Sequence, residues 1–130
     1  MKIVFSDKKT GRTAQSEIPK DSEAAYLGKK IGEVVDGTAA GLPGFKLKVT
    51  GLSDNAGSPS RREIEGTRKA RPLLSYGVGM KVREKGHRSR RLVRGNTIST
   101  DTAQINTVIE EYGAMGTEEL FKPKAKAEAA

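Results

Sequence analysis

The chain contains no cysteine, a single histidine, and only three phenylalanines and three tyrosines among 130 residues. Without cysteine there is no disulfide framework, no thiolate nucleophile and no cysteine-held zinc, and one histidine cannot build a His-based metal site. No cofactor or metal is therefore expected. Six aromatics equip the chain poorly for stacking along a single nucleic-acid strand. No run reaches the roughly 18 apolar residues that span a bilayer. The opening Met1-Lys-Ile-Val-Phe-Ser-Asp7 is too short and polar for a signal peptide, so a cytosolic location is expected.

What the chain has in excess is positive charge. It holds 24 Lys and Arg against 16 Asp and Glu, a formal net of +8, and its charged share of 31% exceeds the usual figure of about 25%. The charge is concentrated in residues 61–94. Arg61, Arg62, Arg68, Lys69, Arg71, Lys81, Arg83, Lys85, Arg88, Arg90, Arg91 and Arg94 face only Glu63, Glu65 and Glu84 there, so this segment carries +9 and the rest of the chain −1. Nine of those twelve cations are arginines, whose planar guanidinium bonds phosphate bidentately and stacks on bases. From Lys85 to Arg94 no acid intervenes, so self-repulsion is uncompensated unless an anion lies against the run. A solvated face is the ordinary meaning of a charge run. A membrane surface is disfavoured, because Gly86 and Gly95 bracket the run and no apolar face recurs at helical spacing. Nucleic acid is the expected partner.

Short strands separated by turn signals fill most of the chain. Ile3-Val-Phe5, a turn at 7–11 and residues 12–18 read as a hairpin, and after Pro19 one short helix is expected, with Asp21 or Ser22 as cap. The alternation in Phe45-Lys-Leu-Lys-Val-Thr50 marks a half-buried strand with Phe45, Leu47 and Val49 inward and Lys46 and Lys48 outward. Residues 53–59 read as a dense turn cluster, either a plain surface loop or one whose glycine lets Ser60, Arg61 and Arg62 approach a phosphate backbone. Residues 72–75, 79–83, 91–94 and 103–109 read as further strands. The expectation is a mainly β protein: a small Gly-rich β-barrel with one short helix and long basic loops. Residues 1–113 are expected to form a single domain. Residues 114–130 are expected to be a flexible tail, with a possible docking turn at Glu118-Glu-Leu-Phe121.

Enzymatic motifs are absent or incomplete. The loop from Gly37 to Lys46 lacks the order of a P-loop, and Gly77-Val-Gly-Met-Lys81 is too short for a dinucleotide fingerprint. Gly44-Phe-Lys-Leu-Lys-Val49 has one aromatic where a single-strand RNA platform needs several, so a core strand is the better reading. His87, between Gly86 and Arg88, is either a hydrogen-bond partner for a ribose hydroxyl or an ordinary loop residue. Glu63 with Glu65, and Glu110 with Glu111, are close in sequence, but adjacency alone cannot supply a general acid and base, and solvated acids or Arg partners are the default reading. A non-enzyme is expected.

Several segments together resemble a known family. These are Ile31-Gly-Glu-Val-Val-Asp-Gly37, Gly44-Phe-Lys-Leu-Lys-Val-Thr-Gly51, Asp54-Asn-Ala-Gly-Ser-Pro59, Arg71-Pro-Leu-Leu-Ser75 and Ala103 to Ile109. Most specific is Gly86-His-Arg-Ser-Arg-Arg-Leu-Val-Arg-Gly95. They are similar to the archaeal and eukaryotic small-subunit ribosomal protein six, e-type, over most of residues 1–113. The resemblance implies a structural component of the small subunit that contacts ribosomal RNA through a β-barrel and basic loops, beside neighbouring ribosomal proteins and without catalysis. It implies that Arg88, Arg90, Arg91 and Arg94 contact RNA, with Gly86 and Gly95 allowing close backbone approach. Because the chain ends at Ala130 without the long basic helix of eukaryotic members, an archaeal form is expected and kinase-regulated roles do not transfer.

The expected RNA-binding set is thus the twelve cations of residues 61–94 together with His87. Two rivals stand beside it. One is a free nucleic-acid-binding protein, such as a chromatin protein or RNA chaperone. The other is a small-molecule enzyme that would need Glu33, Asp36 and Asp101 to converge in one pocket.

Overall fold

The computed structural model describes residues 1–113; the tail and docking turn expected from the sequence lie outside the described residues. Strand β1 (Lys2–Ser6) buries Ile3 and Phe5 and leaves Lys2 outside, as period-two alternation requires. Asp7 closes the turn that follows, its carboxylate accepting hydrogen bonds from the Lys9 N–H (2.9 Å) and the Thr10 hydroxyl (2.8 Å). Strand β2 (Thr13–Glu17) then returns antiparallel, with Ser6 opposite Thr13 and Lys2 opposite Glu17. The first hairpin is the one the sequence predicts.

Helix α1 is a single turn, Lys20–Glu23. Its N-cap is Pro19 and no side chain caps it, so neither Asp21 nor Ser22 serves as the expected cap. Beyond it the Tyr26 side chain is buried and its hydroxyl donates to the Asp36 carbonyl (2.9 Å). Burial, reinforced by the Asp36 charge, pushes that hydroxyl up to about 12.

Strand β3 (Val34–Asp36) was not legible as a strand in the sequence; its three residues pair antiparallel with β4 (Lys46–Asp54). Between them the Asp36 carboxylate accepts from both the N–H and the hydroxyl of Thr38. An acid therefore closes this loop, which in sequence already lacks the order of a P-loop. On β4 and just before it, Phe45, Leu47 and Val49 are fully buried, while Lys46 and Lys48 share the other face, as predicted.

Four two-residue strands follow: β5 (Lys69–Ala70), β6 (Leu73–Leu74), β7 (Ser89–Arg90) and β8 (Val93–Arg94). They belong together. Lys69 pairs with Arg94 and Ala70 with Val93, while Leu73 pairs with Arg90 and Leu74 with Ser89, all in one antiparallel register. The four are the two arms of one long hairpin, residues 69–94. Its ladder breaks at Pro72, which has no N–H to donate; the Arg91 N–H still reaches the Pro72 carbonyl at 3.4 Å.

The last strand, β9 (Thr102–Glu111), runs parallel to β1 and antiparallel to β4, giving the order β2-β1-β9-β4-β3. Ile105 and Ile109 join Ile3, Phe5, Val35, Leu47, Val49 and Leu52 in the main core, which Tyr26, Leu42 and Ile98 complete. The architecture is mainly β with one short helix, as expected, but the sheet does not close into a barrel. The reason is pairing: the short strands that looked like further staves satisfy one another in the hairpin. This leaves β2 and β3 as open edges.

Candidate nucleic-acid interface

The hairpin rises from a base in which four consecutive residues, Val93, Arg94, Gly95 and Asn96, are buried. Neighbouring backbone covers this spine. The Arg94 N–H donates to the Pro59 carbonyl (2.8 Å), the Arg61 N–H to the Arg94 carbonyl (3.0 Å), the Gly95 N–H to Arg68 (2.9 Å) and the Asn96 N–H to Ile64 (2.8 Å). A Cβ at Gly95 would sit 1.9 Å from the Gly66 carbonyl oxygen, so no larger residue fits. The close backbone approach expected at Gly95 is therefore internal, to Gly66. Gly86 has φ +83°, a region that favours glycine, and the space around it is open.

Arg94, expected to contact RNA, is likewise turned inward. Its side chain is 9% exposed and donates from Nη1 to Asp54 Oδ2 (3.2 Å) and from Nη2 to Asp101 Oδ2 (3.2 Å) and Ser99 Oγ (3.3 Å). Its buried Nε has no partner among the described residues. Asp54, 1% exposed, also takes the Lys69 ammonium (3.4 Å) and the Ser58 N–H (2.7 Å). Burial pushes the Asp54 carboxyl up, but the Ser58 N–H, Arg94 and Lys69 together outweigh it and hold the group below the ordinary carboxylate value. Asp54 ends β4, and Arg94 and Lys69 form the first pair of the hairpin. This ion cluster therefore joins hairpin to sheet.

Arg61 is likewise committed inside the protein. Its Nε donates to Glu63 (2.9 Å), and Nη1 donates to the carbonyls of Tyr76 (3.2 Å) and Val78 (2.7 Å). The guanidinium ties down the near half of the hairpin's tip, where Met80 packs with Leu74 and Val93 in a second small core. The expected strand at 79–83 is absent; its residues form turn and irregular structure.

The other members of the predicted set are exposed: Arg62, Arg68, Lys69, Arg71, Lys81, Arg83, Lys85, His87, Arg88, Arg90 and Arg91. Of the twelve cations, Arg61, Lys69 and Arg94 have carboxylate partners, leaving nine with none among the described residues. Every residue from Lys81 to Arg88 is exposed, and on the arms Arg71 and Arg90 approach each other, the Arg90 Nη1 donating to the Arg71 carbonyl (3.2 Å). Seven of these nine exposed cations lie on the arms and tip of the hairpin and two, Arg62 and Arg68, on the segment leading into it, a concentration of positive charge that no internal salt bridge among the described residues neutralises.

The carboxylates of the enzyme reading do not converge. Glu33 accepts from the Lys30 N–H, Asp36 closes its own turn and Asp101 holds Arg94. Among the described residues no group of three or more His, Cys, Asp or Glu side chains is placed to hold a metal. A cleft of about 520 Å³, not evident in the sequence, lies between the outer face of the sheet and the near side of the tip, lined in part by Lys48, Arg62, Tyr76 and Val78. Tyr76, 73% exposed, was the available signal: an aromatic set in a glycine-rich turn.

Comparison with known proteins identifies the family. The family model for ribosomal protein S6e matches residues 1–122. The chain is 45% identical over 124 residues to the small ribosomal subunit protein eS6 of Archaeoglobus fulgidus, covering 95% of this chain and 96% of that protein. It is 48% identical over 120 residues to the eS6 protein of Methanocaldococcus jannaschii, covering 92% and 89% respectively. With the eS6 protein of Methanoculleus marisnigri it shares 41% over 128 residues, covering 98% and 97%. An open mixed sheet bearing a basic hairpin, matched along nearly its whole length by these relatives, places the chain in the ribosomal protein S6e family.

Proposed function

We propose that residues 1–113 form the RNA-binding domain of a structural constituent of the small ribosomal subunit, and that the 69–94 hairpin and residues 62–68 beside it grip ribosomal RNA. Relatives named as small ribosomal subunit proteins, aligned over nearly the full chain, support the ribosomal role in translation and a place in the cytoplasmic ribosome among neighbouring ribosomal proteins. The observation that carries the RNA contact is the set of nine exposed cations without acid partners.

Such a surface gains affinity by displacing counterions condensed on phosphate. The sheet supplies rigidity, and the Asp54 cluster fixes the angle at which the hairpin leaves it. Arg62, Arg68, Arg71, Lys81, Arg83, Lys85, Arg88, Arg90 and Arg91, with His87 among them, meet phosphate and ribose. Arg61, Lys69 and Arg94 hold the frame. Specificity then comes from RNA shape and ribose hydroxyls more than from base edges. No catalytic step is assigned to the chain.

Replacing Arg88, Arg90 and Arg91 together by alanine tests the grip. The salt dependence of RNA binding should flatten by roughly 0.7–0.9 in log–log slope for each phosphate that is no longer neutralised. An unchanged slope removes these residues from the interface. Cosedimentation separates the constituent from a free chromatin protein or RNA chaperone. A constituent travels with small subunits at one copy each through a moderate salt wash, whereas a transient binder redistributes to lighter fractions or to DNA.

A further inference from the structure

The cleft between sheet and hairpin tip has a charge and surface composition of its own. Four cations and two acids line it. Lys8 is paired with Glu110 (3.2 Å) and Arg61 with Glu63 (2.9 Å), which leaves Lys48 and Arg62 without a direct carboxylate contact among the described residues, Arg62 sharing the field of Glu63 at longer range. Beside these two charges lie apolar surfaces: Val108, which pairs with Lys48 across β9 and β4, and Val78 and Tyr76 of the tip. Val78 is 55% and Tyr76 73% exposed, and with Val108 they give the cleft a contiguous apolar wall.

The loop is fixed by Arg61, whose guanidinium binds the carbonyls on either side of Gly77. Gly77 has φ +93°, and a Cβ there would lie 3.2 Å from Arg61 Nη1, so glycine is what lets the loop wrap the guanidinium. Tyr76 is thereby presented at the cleft rather than left on a free tip.

We propose that this cleft receives one unpaired nucleotide of the bound RNA, its base against Tyr76 and Val78 and its phosphate between Lys48 and Arg62. The proposal rests on the RNA-binding reading above and adds a site to it. A free inorganic anion would leave the apolar wall unused, and a purely apolar side chain would leave two cations unpaired. A nucleotide satisfies both, since it joins a flat base to a phosphate. The volume of about 520 Å³ lies within the range of roughly 300–1,000 Å³ typical of small-ligand sites. Arg62 belongs to both the cleft and the basic surface, so the site continues the interface already described. Arg61 is a positioning residue here.

The test is 2′-hydroxyl acylation of ribosomal RNA in small subunits assembled with the wild-type chain, with Y76F, Y76A or K48A, or without the chain. Within the wild-type footprint, one unpaired nucleotide should become more reactive by about fivefold or more in Y76A, as expected for loss of one stacked base. K48A should expose the same nucleotide, Y76F should keep it shielded, and the rest of the footprint should not change. Because Tyr76 is largely exposed, Y76A leaves both cores intact. A Y76A footprint identical to wild type at every nucleotide overturns the cleft site while leaving RNA binding in place. The complete absence of a wild-type footprint overturns both readings.

Discussion

At the scale of single residues, the informative arginine is the one that does not face outward. Arg94 lies in the most basic stretch of the chain and looks, in sequence, like its neighbours Arg90 and Arg91. Its carboxylate partners are 40 and 7 residues away, on the end of β4 and in the loop before β9, and no local pattern announces them. Burial of a guanidinium is tolerable only when acids compensate it, and Asp54 is the buried one. Asp54→Asn should therefore destabilise the fold by about 3 kcal/mol, the lower end for breaking a buried pair, because Asp101 still holds Nη2. Urea unfolding measures this, and an unchanged midpoint would show that the cluster is not a joint. Acid should reproduce the effect. The folded-state Asp54 carboxyl titrates below its ordinary 3.8, so its stabilisation is present above that value and is lost as pH falls through the lower, folded one. The stabilities of wild type and D54N should converge over that acid window.

At the scale of elements, the first hairpin and the alternation of Phe45, Leu47 and Val49 were legible because each is a local pattern with one buried face. Strands at 73–74, 93–94 and 102–111 fell where turn signals and β-branched residues put them. Their pairing was not legible, since two-residue strands carry too little alternation to declare a partner. Val34–Asp36 was missed for the same reason. Residues 79–83 fail as a strand because the tip folds back, burying Met80 and bringing Gly79 against Val93. Gly79 has φ +84°, and a Cβ there would approach Val93 Cγ1 to 2.7 Å. Gly79→Ala should cost about 1–3 kcal/mol from backbone strain and crowding together. Amide exchange should localise the damage, with protection reduced at residues 69–74 and 89–94 and retained in β1, β4 and β9. Uniform loss across the sheet would mean that hairpin and sheet unfold as one unit.

At the scale of the whole molecule, composition was enough to predict a polyanionic partner, and the resemblance was enough to predict the family. What composition could not separate is which part of the +9 segment is surface and which is frame. The structure divides it: Arg61, Lys69 and Arg94 take acids at the base, while nine cations project from the arms and tip of the hairpin and from the segment leading into it. Strand count was misleading at the same scale. Enough short strands to suggest a closed barrel turned out to include four that pair with one another as a separate hairpin and not with the strands of the main sheet, leaving a five-stranded open sheet as the platform.

That division is measured most directly by modifying arginines with a dicarbonyl reagent and mapping the adducts by mass spectrometry, in the free chain and in purified small subunits. Arg62, Arg68, Arg71, Arg83, Arg88, Arg90 and Arg91 should react in the free chain and be shielded in the subunit, while Arg94 should stay unreactive in both. If those seven arginines react equally in the two states, the hairpin does not lie against RNA and the proposed role of the basic segment is wrong.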